Sequence, residues 1–162
     1  MIAGMSDHKA TIDWNRDGRD FTYEAYGRDH TWSFAGGVVV NASAAPAYKG
    51  SPDLVDPEEA FVASLSSCHM LTFLALAAKA KLVVDRYTDH AVGKLEKNDE
   101  GRLAVNTVTL NPVIVYDGRQ PQPDELAQLH DKAHHLCFIA NSVKTRITVA
   151  VPTRGPKVAP AV

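Results

Sequence analysis

Near the start of the chain apolar and polar positions alternate. Ala10, Ile12 and Trp14 interleave with Thr11 and Asp13, a period of two that places one apolar face on a strand. Arg16-Asp17-Gly18 gives a turn signal. Phe21, Tyr23 and Ala25 continue the period, and Thr31–Phe34 with Val38–Val40 predicts more sheet. Pro46, Gly50 and Pro52 mark residues 41–56 as an irregular loop. The pattern then changes. Asp56 suits a helix N-cap, Pro57 the first helical position, and Glu59 completes the capping-box spacing. From Ala60 to Ala80 the chain is apolar on nearly every side, which predicts a helix surrounded by protein.

The second half returns to strand patterning. Val83–Lys97 reads as one strand, Asn98–Gly101 as a hairpin loop and Leu103–Leu110 as the returning strand. Pro112 interrupts before Val113–Tyr116. Gln120-Pro121-Gln122-Pro123 is a stiff connector into a second helix, where Leu126, Leu129, Ala133 and Leu136 recur at helical spacing. Ile147, Val149 and Val151 alternate in a last strand. This order predicts an α+β fold with antiparallel sheet strands and two central helices. Residues 1–152 read as a single domain, and residues 153–162, rich in Gly and Pro, as a flexible C-terminal tail.

Charge narrows the function classes. The net charge of −2 and the absence of a basic run give no electrostatic footprint for nucleic acid. The N-terminal stretch lacks a charged segment followed by an apolar one, so no secretory signal is expected. Ser64, Ser66, Ser67, His69, Thr72 and Lys79 interrupt the apolar helix, against a membrane span of about 20 apolar residues. The expectation is a cytoplasmic chain, away from membranes, with its thiols kept reduced.

The two cysteines carry the candidate chemistry. Cys68 lies in the apolar helix beside His69, and Cys137 in the second helix near His134 and His135. A free cysteine often acts only as a small buried hydrophobe. Three chemical readings compete with that one. In a redox reading, the Cys68 thiolate attacks a peroxide and Cys137 condenses with the resulting sulfenic acid. In a hydrolase reading, Cys68 is an acyl-transfer nucleophile with a histidine base. His69 points about 100° away from Cys68 on a helix, a poor placement for that base. In a metal reading, both cysteines and the histidines hold zinc, although no Cys-x-x-Cys pair is present.

Asp56-Pro57-Glu58-Glu59, Ser66-Ser67-Cys68 and Cys137 followed by Ile139-Ala140-Asn141-Ser142 resemble the OsmC/Ohr family of osmotically inducible and organic-hydroperoxide-resistance proteins. The resemblance runs from about Thr11 to Val151. Tyr26-Gly27-Arg28-Asp29-His30 resembles the Tyr-x-Arg-x-His stretch of an OsmC-like branch. It implies an intertwined homodimer with active sites at the subunit interface, working as a thiol-dependent peroxidase without a cofactor. By resemblance, Cys68 is the peroxidatic cysteine and Cys137 the resolving one. Arg28 would stabilise the thiolate and the leaving oxygen, and Glu58 would hold Arg28 by a salt bridge. The implied partners are an organic hydroperoxide substrate and a dithiol reductant, a lipoylated protein in the Ohr branch. A small-ligand- or metal-binding OsmC-like protein with weak or no peroxidase activity is the alternative.

Three details complicate the transfer. Glu58 and Cys68 are ten residues apart, about 15 Å along a straight helix. Direct cooperation needs a helix break near Ser64–Ser67, a long arginine that spans the gap, or a residue from another chain. Phe138 stands where Ohr-type members carry proline after the second cysteine, so nothing there is expected to stop the helix. His69 replaces the usual phenylalanine and is expected to be a hydrogen-bonded core histidine; His134 and His135 are expected to be structural or solvent-facing.

Overall fold

The computed structural model describes residues 6–150. They fall into two compact units, one up to Ala60 and the other from Phe61 onward. The expectations for Val151 and for the 153–162 tail lie outside the described residues.

The first unit is a three-stranded antiparallel sheet of β1 (Ala10–Asp13), β2 (His30–Phe34) and β3 (Val39–Ala42) in the order β1-β2-β3. Trp32 lies opposite Ile12 on one side and Val40 on the other. The β2–β3 turn closes with a hydrogen bond from the Gly37 N–H to the Phe34 carbonyl, 2.9 Å, with Gly37 at φ 80°. Few residues other than glycine take that conformation cheaply.

The expected strand through Phe21, Tyr23 and Ala25 is not formed. That stretch is a turn in which the Ala25 and Tyr26 amides donate to the Thr22 carbonyl. Phe21 and Tyr26 of that stretch join Trp14 in a cluster: the three rings lie 5.7–6.3 Å apart, centroid to centroid. The Tyr23 ring lies 5.2 Å from the Arg28 guanidinium instead, so the period of two marks no sheet face here.

The second unit contains most of α1 (Pro57–Lys79), which begins at the end of the first. The capping box forms as expected: the Glu59 N–H donates to Asp56 Oδ1 at 2.8 Å, and the Asp56 N–H to Glu59 Oε2 at 3.2 Å. At the other end Lys81 turns left-handed at φ 58°. The Leu82 N–H then reaches back to the Ala77 carbonyl and the Lys81 N–H to Ala78, the paired bonds that close a helix C-terminus.

The single long strand expected over Val83–Lys97 is two: β4 (Val83–Asp89) and β5 (Val92–Lys97). Asp89 and Asn111 make the break. Asp89 Oδ1 accepts the Asn111 N–H at 2.6 Å, and the Asn111 side chain donates to the His90 carbonyl at 2.8 Å. The chain thereby changes sheets. β4 pairs antiparallel with β7 (Pro112–Asp117), and β5 with β6 (Leu103–Leu110). The last strand, β8 (Arg146–Val149), runs parallel to β6, a parallel pair in an otherwise antiparallel arrangement. The α+β class with two helices holds.

Between β7 and β8 lies α2 (Pro123–Leu136). Two apolar clusters pack along α1. Leu65 meets Val108 and Leu110 of β6, while Phe73 and Ala77 meet Ile114 of β7 with Leu129 and Ala133 of α2. Only the stripe Leu65, His69, Phe73 and Ala77 of α1 is buried, at four-residue spacing. Leu71, Ala75 and Ala78 remain exposed, so within one chain α1 is not the surrounded helix that its composition predicts. By length and composition α1 could cross a membrane; in this fold its buried stripe is committed to protein core.

Candidate functional site

Between the two apolar clusters of the second unit the helices bring together polar and thiol groups. Cys68, half-buried on α1, and the buried Cys137 are both free thiols, near enough for Cys68 to shift the titration of Cys137. Cys137 is not inside the second helix as expected. α2 ends at Leu136, and Cys137 follows in extended conformation, φ −72° and ψ 114°, its N–H donating to the His134 carbonyl. The helix therefore stops without a proline. Leu136 and Phe138 on either side are exposed while Cys137 is 1% exposed, so the departure from helix geometry sends the thiol inward.

The Cys137 sulfur accepts the Ala140 N–H at 3.4 Å. Burial first, and then the neighbouring Cys68 thiol, push the Cys137 thiol up to about 11. It stays protonated at neutral pH, in a surrounding that disfavours its thiolate. The Cys68 carbonyl accepts the Thr72 hydroxyl at 2.9 Å, a back-bond within the helix.

α1 runs unbroken through Ser64–Ser67, so of the three routes by which Glu58 and Cys68 could cooperate the helix break is absent. The serine hydroxyls have other partners: Ser64 donates to the Phe61 carbonyl and Ser66 to the Asp89 carboxylate. Asp89, which sequence reasoning missed, thus ties α1 to the sheet switch through Ser66 and Asn111.

His69 is the hydrogen-bonded core histidine expected, and its partner is His130, 3.0 Å from His69 Nε2 to His130 Nδ1. The two rings are nearly parallel and are 1% and 2% exposed. Burial first lowers both to about 4; repulsion from His134 adds to this at His69, and from His69 at His130. Sequence reading passed over His130. Its signal was there: Leu126, His130, Ala133 and Cys137 follow the helical spacing of one face. His134 is half-buried; His135 is exposed and bonds to the Asp131 carbonyl.

Arg28 and Glu58 lie in the first unit. The Arg28 guanidinium donates to the carbonyls of Tyr23 and Tyr26 and sits 3.7 Å from the Tyr26 ring centroid. Among the described residues no ion pair joins Arg28 to Glu58. The guanidinium is instead held by its own turn, in a cation–π contact. Nor do three His, Cys, Asp or Glu side chains come together among the described residues as metal ligands.

Two helices on split sheets, with a pair of free thiols brought near each other by the two helices, define the class as a small α+β dithiol protein. The OsmC-like protein family model matches residues 50–151, and the chain belongs to that family. It is similar to an OsmC-like protein of unknown function from Vibrio cholerae, at 47% identity and a TM-score of 0.87, over 90% of this chain and 99% of that one. An organic hydroperoxide resistance protein from Elizabethkingia anophelis shares the fold at 21% identity and a TM-score of 0.66, over 91% of this chain and 95% of that one. Another organic hydroperoxide resistance protein, from Legionella pneumophila, shares it at 19% identity and 0.65, over 91% and 99%. No significant match is found among curated proteins.

Proposed function

We propose that this protein is a cytoplasmic, thiol-dependent peroxidase that reduces organic hydroperoxides through Cys68 and Cys137. The observation that carries the reading is the approach of two free thiols, one half-buried on α1 and one buried at the end of α2. Names among the structural relatives support the substrate class. On this reading residues 1–152 act as one OsmC-like domain.

The chemistry runs in two steps. The Cys68 sulfur, as thiolate, attacks one peroxide oxygen. The O–O bond breaks, Cys68 becomes a sulfenic acid, and the departing alkoxide takes a proton to leave as alcohol. Cys137 then gives up its proton as its sulfur attacks that of Cys68. The S–S bond forms, and the sulfenic hydroxyl leaves with the proton as water. An external dithiol, such as a lipoylated protein, reduces the disulfide. The raised Cys137 thiol suits the resolving role, since it keeps that sulfur protonated until Cys68 is oxidised. Arg28 and Glu58 take the family roles of thiolate stabiliser and arginine support, acting in an intertwined homodimer. The exposed apolar side of α1 supports that assembly: Leu71 is 61% exposed, and a second copy would cover it.

The test is turnover of cumene hydroperoxide with a dithiol, comparing wild type with Cys68→Ser and Cys137→Ser. Loss of turnover in Cys68→Ser, and a trappable sulfenic acid in Cys137→Ser, are expected. Equal rates in wild type and Cys68→Ser, with unchanged thiols after stoichiometric peroxide, would favour the small-ligand-binding alternative.

A further inference from the structure

We propose that the buried His69–His130 hydrogen bond is a positioning device for the thiol pair, fixing α1 against α2 so that Cys137 closes rapidly on Cys68. The inference rests on the dithiol reading above and adds His69 and His130 to it as positioning residues.

Placement comes first. His69 directly follows Cys68, and His130 precedes Cys137 by seven residues, about two helical turns and nearly the same face of α2. The bond at 3.0 Å therefore joins the same two elements that present the thiols. Phe73, one turn further along α1, stacks on His130 at 4.4 Å between centroids and confines that ring.

The choice of residue is the second argument. Phe73, Leu129 and Ala133 show that the adjoining core is apolar. Two apolar side chains would fill the space without leaving polar atoms buried. Instead, His69 Nδ1 and His130 Nε2 are buried with no hydrogen-bond partner among the described residues, an arrangement that costs stability. What the imidazole pair adds is direction. Apolar contact tolerates sliding and rotation, whereas an N–H···N bond fixes distance and angle together. Disulfide closure has narrow geometric limits, so a directional tie beside the thiols serves it.

Glutathione disulfide tests this without peroxide. The Cys68 thiolate attacks one sulfur of the probe and releases one glutathione, leaving a mixed disulfide. Cys137 loses its proton as its sulfur attacks Cys68, and the second glutathione leaves carrying that proton. Two protein thiols are oxidised and one glutathione disulfide is reduced to two glutathiones.

Stopped reactions read by mass spectrometry separate adduct formation from closure. In folded His69→Phe or His130→Phe, adduct formation at Cys68 should keep its wild-type rate while closure slows about tenfold or more, a size typical of misplaced reacting groups. The pair His69→Gln with His130→Asn can set a Gln Nε2 donor against an Asn Oδ1 acceptor near the positions of the bonded ring nitrogens, and should restore fast closure. Should a phenylalanine variant fail to fold, His130→Gln offers the same comparison, since its extra methylene misplaces the polar end. Unchanged closure in folded phenylalanine or His130→Gln variants overturns the proposal. So does a Gln/Asn pair that closes as slowly as they do. If wild type closes quickly with glutathione disulfide and the variants are slowed, but wild type itself consumes no peroxide, the peroxidase reading falls while this inference is supported.

Discussion

Acidification should remove stability through His69 and His130. In the unfolded chain each imidazole takes a proton near its ordinary 6.5, whereas in the folded protein burial holds both down to about 4. His134 lowers His69 further and Asp89 pulls it the other way. Because the folded values are depressed, the unfolded state binds more protons between pH 6.5 and 4. The contribution is therefore complete above the unfolded value and is lost as pH falls through that window. With these values, one histidine costs about 2 kcal/mol by pH 5 and about 3 kcal/mol by pH 4. The second adds less than the same again, since repulsion within the pair is shared. The assay is urea unfolding at fixed protomer concentration, from about pH 8 to about pH 5, for wild type and for the His69→Gln/His130→Asn pair. Wild type should lose at least about 2 kcal/mol more than the variant over this range. Parallel stability curves, agreeing within about 0.5 kcal/mol, would refute the reasoning.

Three further outcomes follow from local geometry. With iodoacetamide at mildly alkaline pH, Cys68 should be modified before Cys137, whose buried thiol is pushed up to about 11; peptide mass spectrometry giving equal rates would contradict this. Asp56→Ala removes the side-chain acceptor for the Glu59 N–H and leaves only the backbone bond to Glu59 Oε2, and should cost about 1 kcal/mol in chemical denaturation. Gly93→Ala would place a Cβ 2.5 Å from Val62 Cγ2 and 3.3 Å from Val105 Cγ1, an overpacking expected to cost about 1–3 kcal/mol. Adding Val62→Ala should return part of that stability, measured by the same denaturation.

The sequence by itself determined the elements whose signals are local. Asp56, Pro57 and Glu59 announced the start of α1 because capping satisfies backbone donors within one turn. The spacing of Leu129 and Ala133 announced α2 because one helix face repeats at short range. The OsmC-like resemblance was likewise carried by short motifs, and the family match bears it out.

Tertiary structure decided what depends on residues far apart in the chain. The break between β4 and β5 comes from Asp89 meeting Asn111, 22 residues on, and no local pattern encodes that meeting. The turn around Tyr23 is held by Arg28, which donates to the Tyr23 carbonyl, and by the Phe21–Tyr26 ring contact, so the alternation of Phe21, Tyr23 and Ala25 forms no strand. Cys137 leaves α2 although no proline follows it, because its backbone turns extended and buries the thiol against Cys68. His130 was hidden for the same reason: a buried imidazole has meaning only beside its partner, and His69 lies 61 residues away. Hydrogen bonds and burial act through space, and only the folded chain sets those distances.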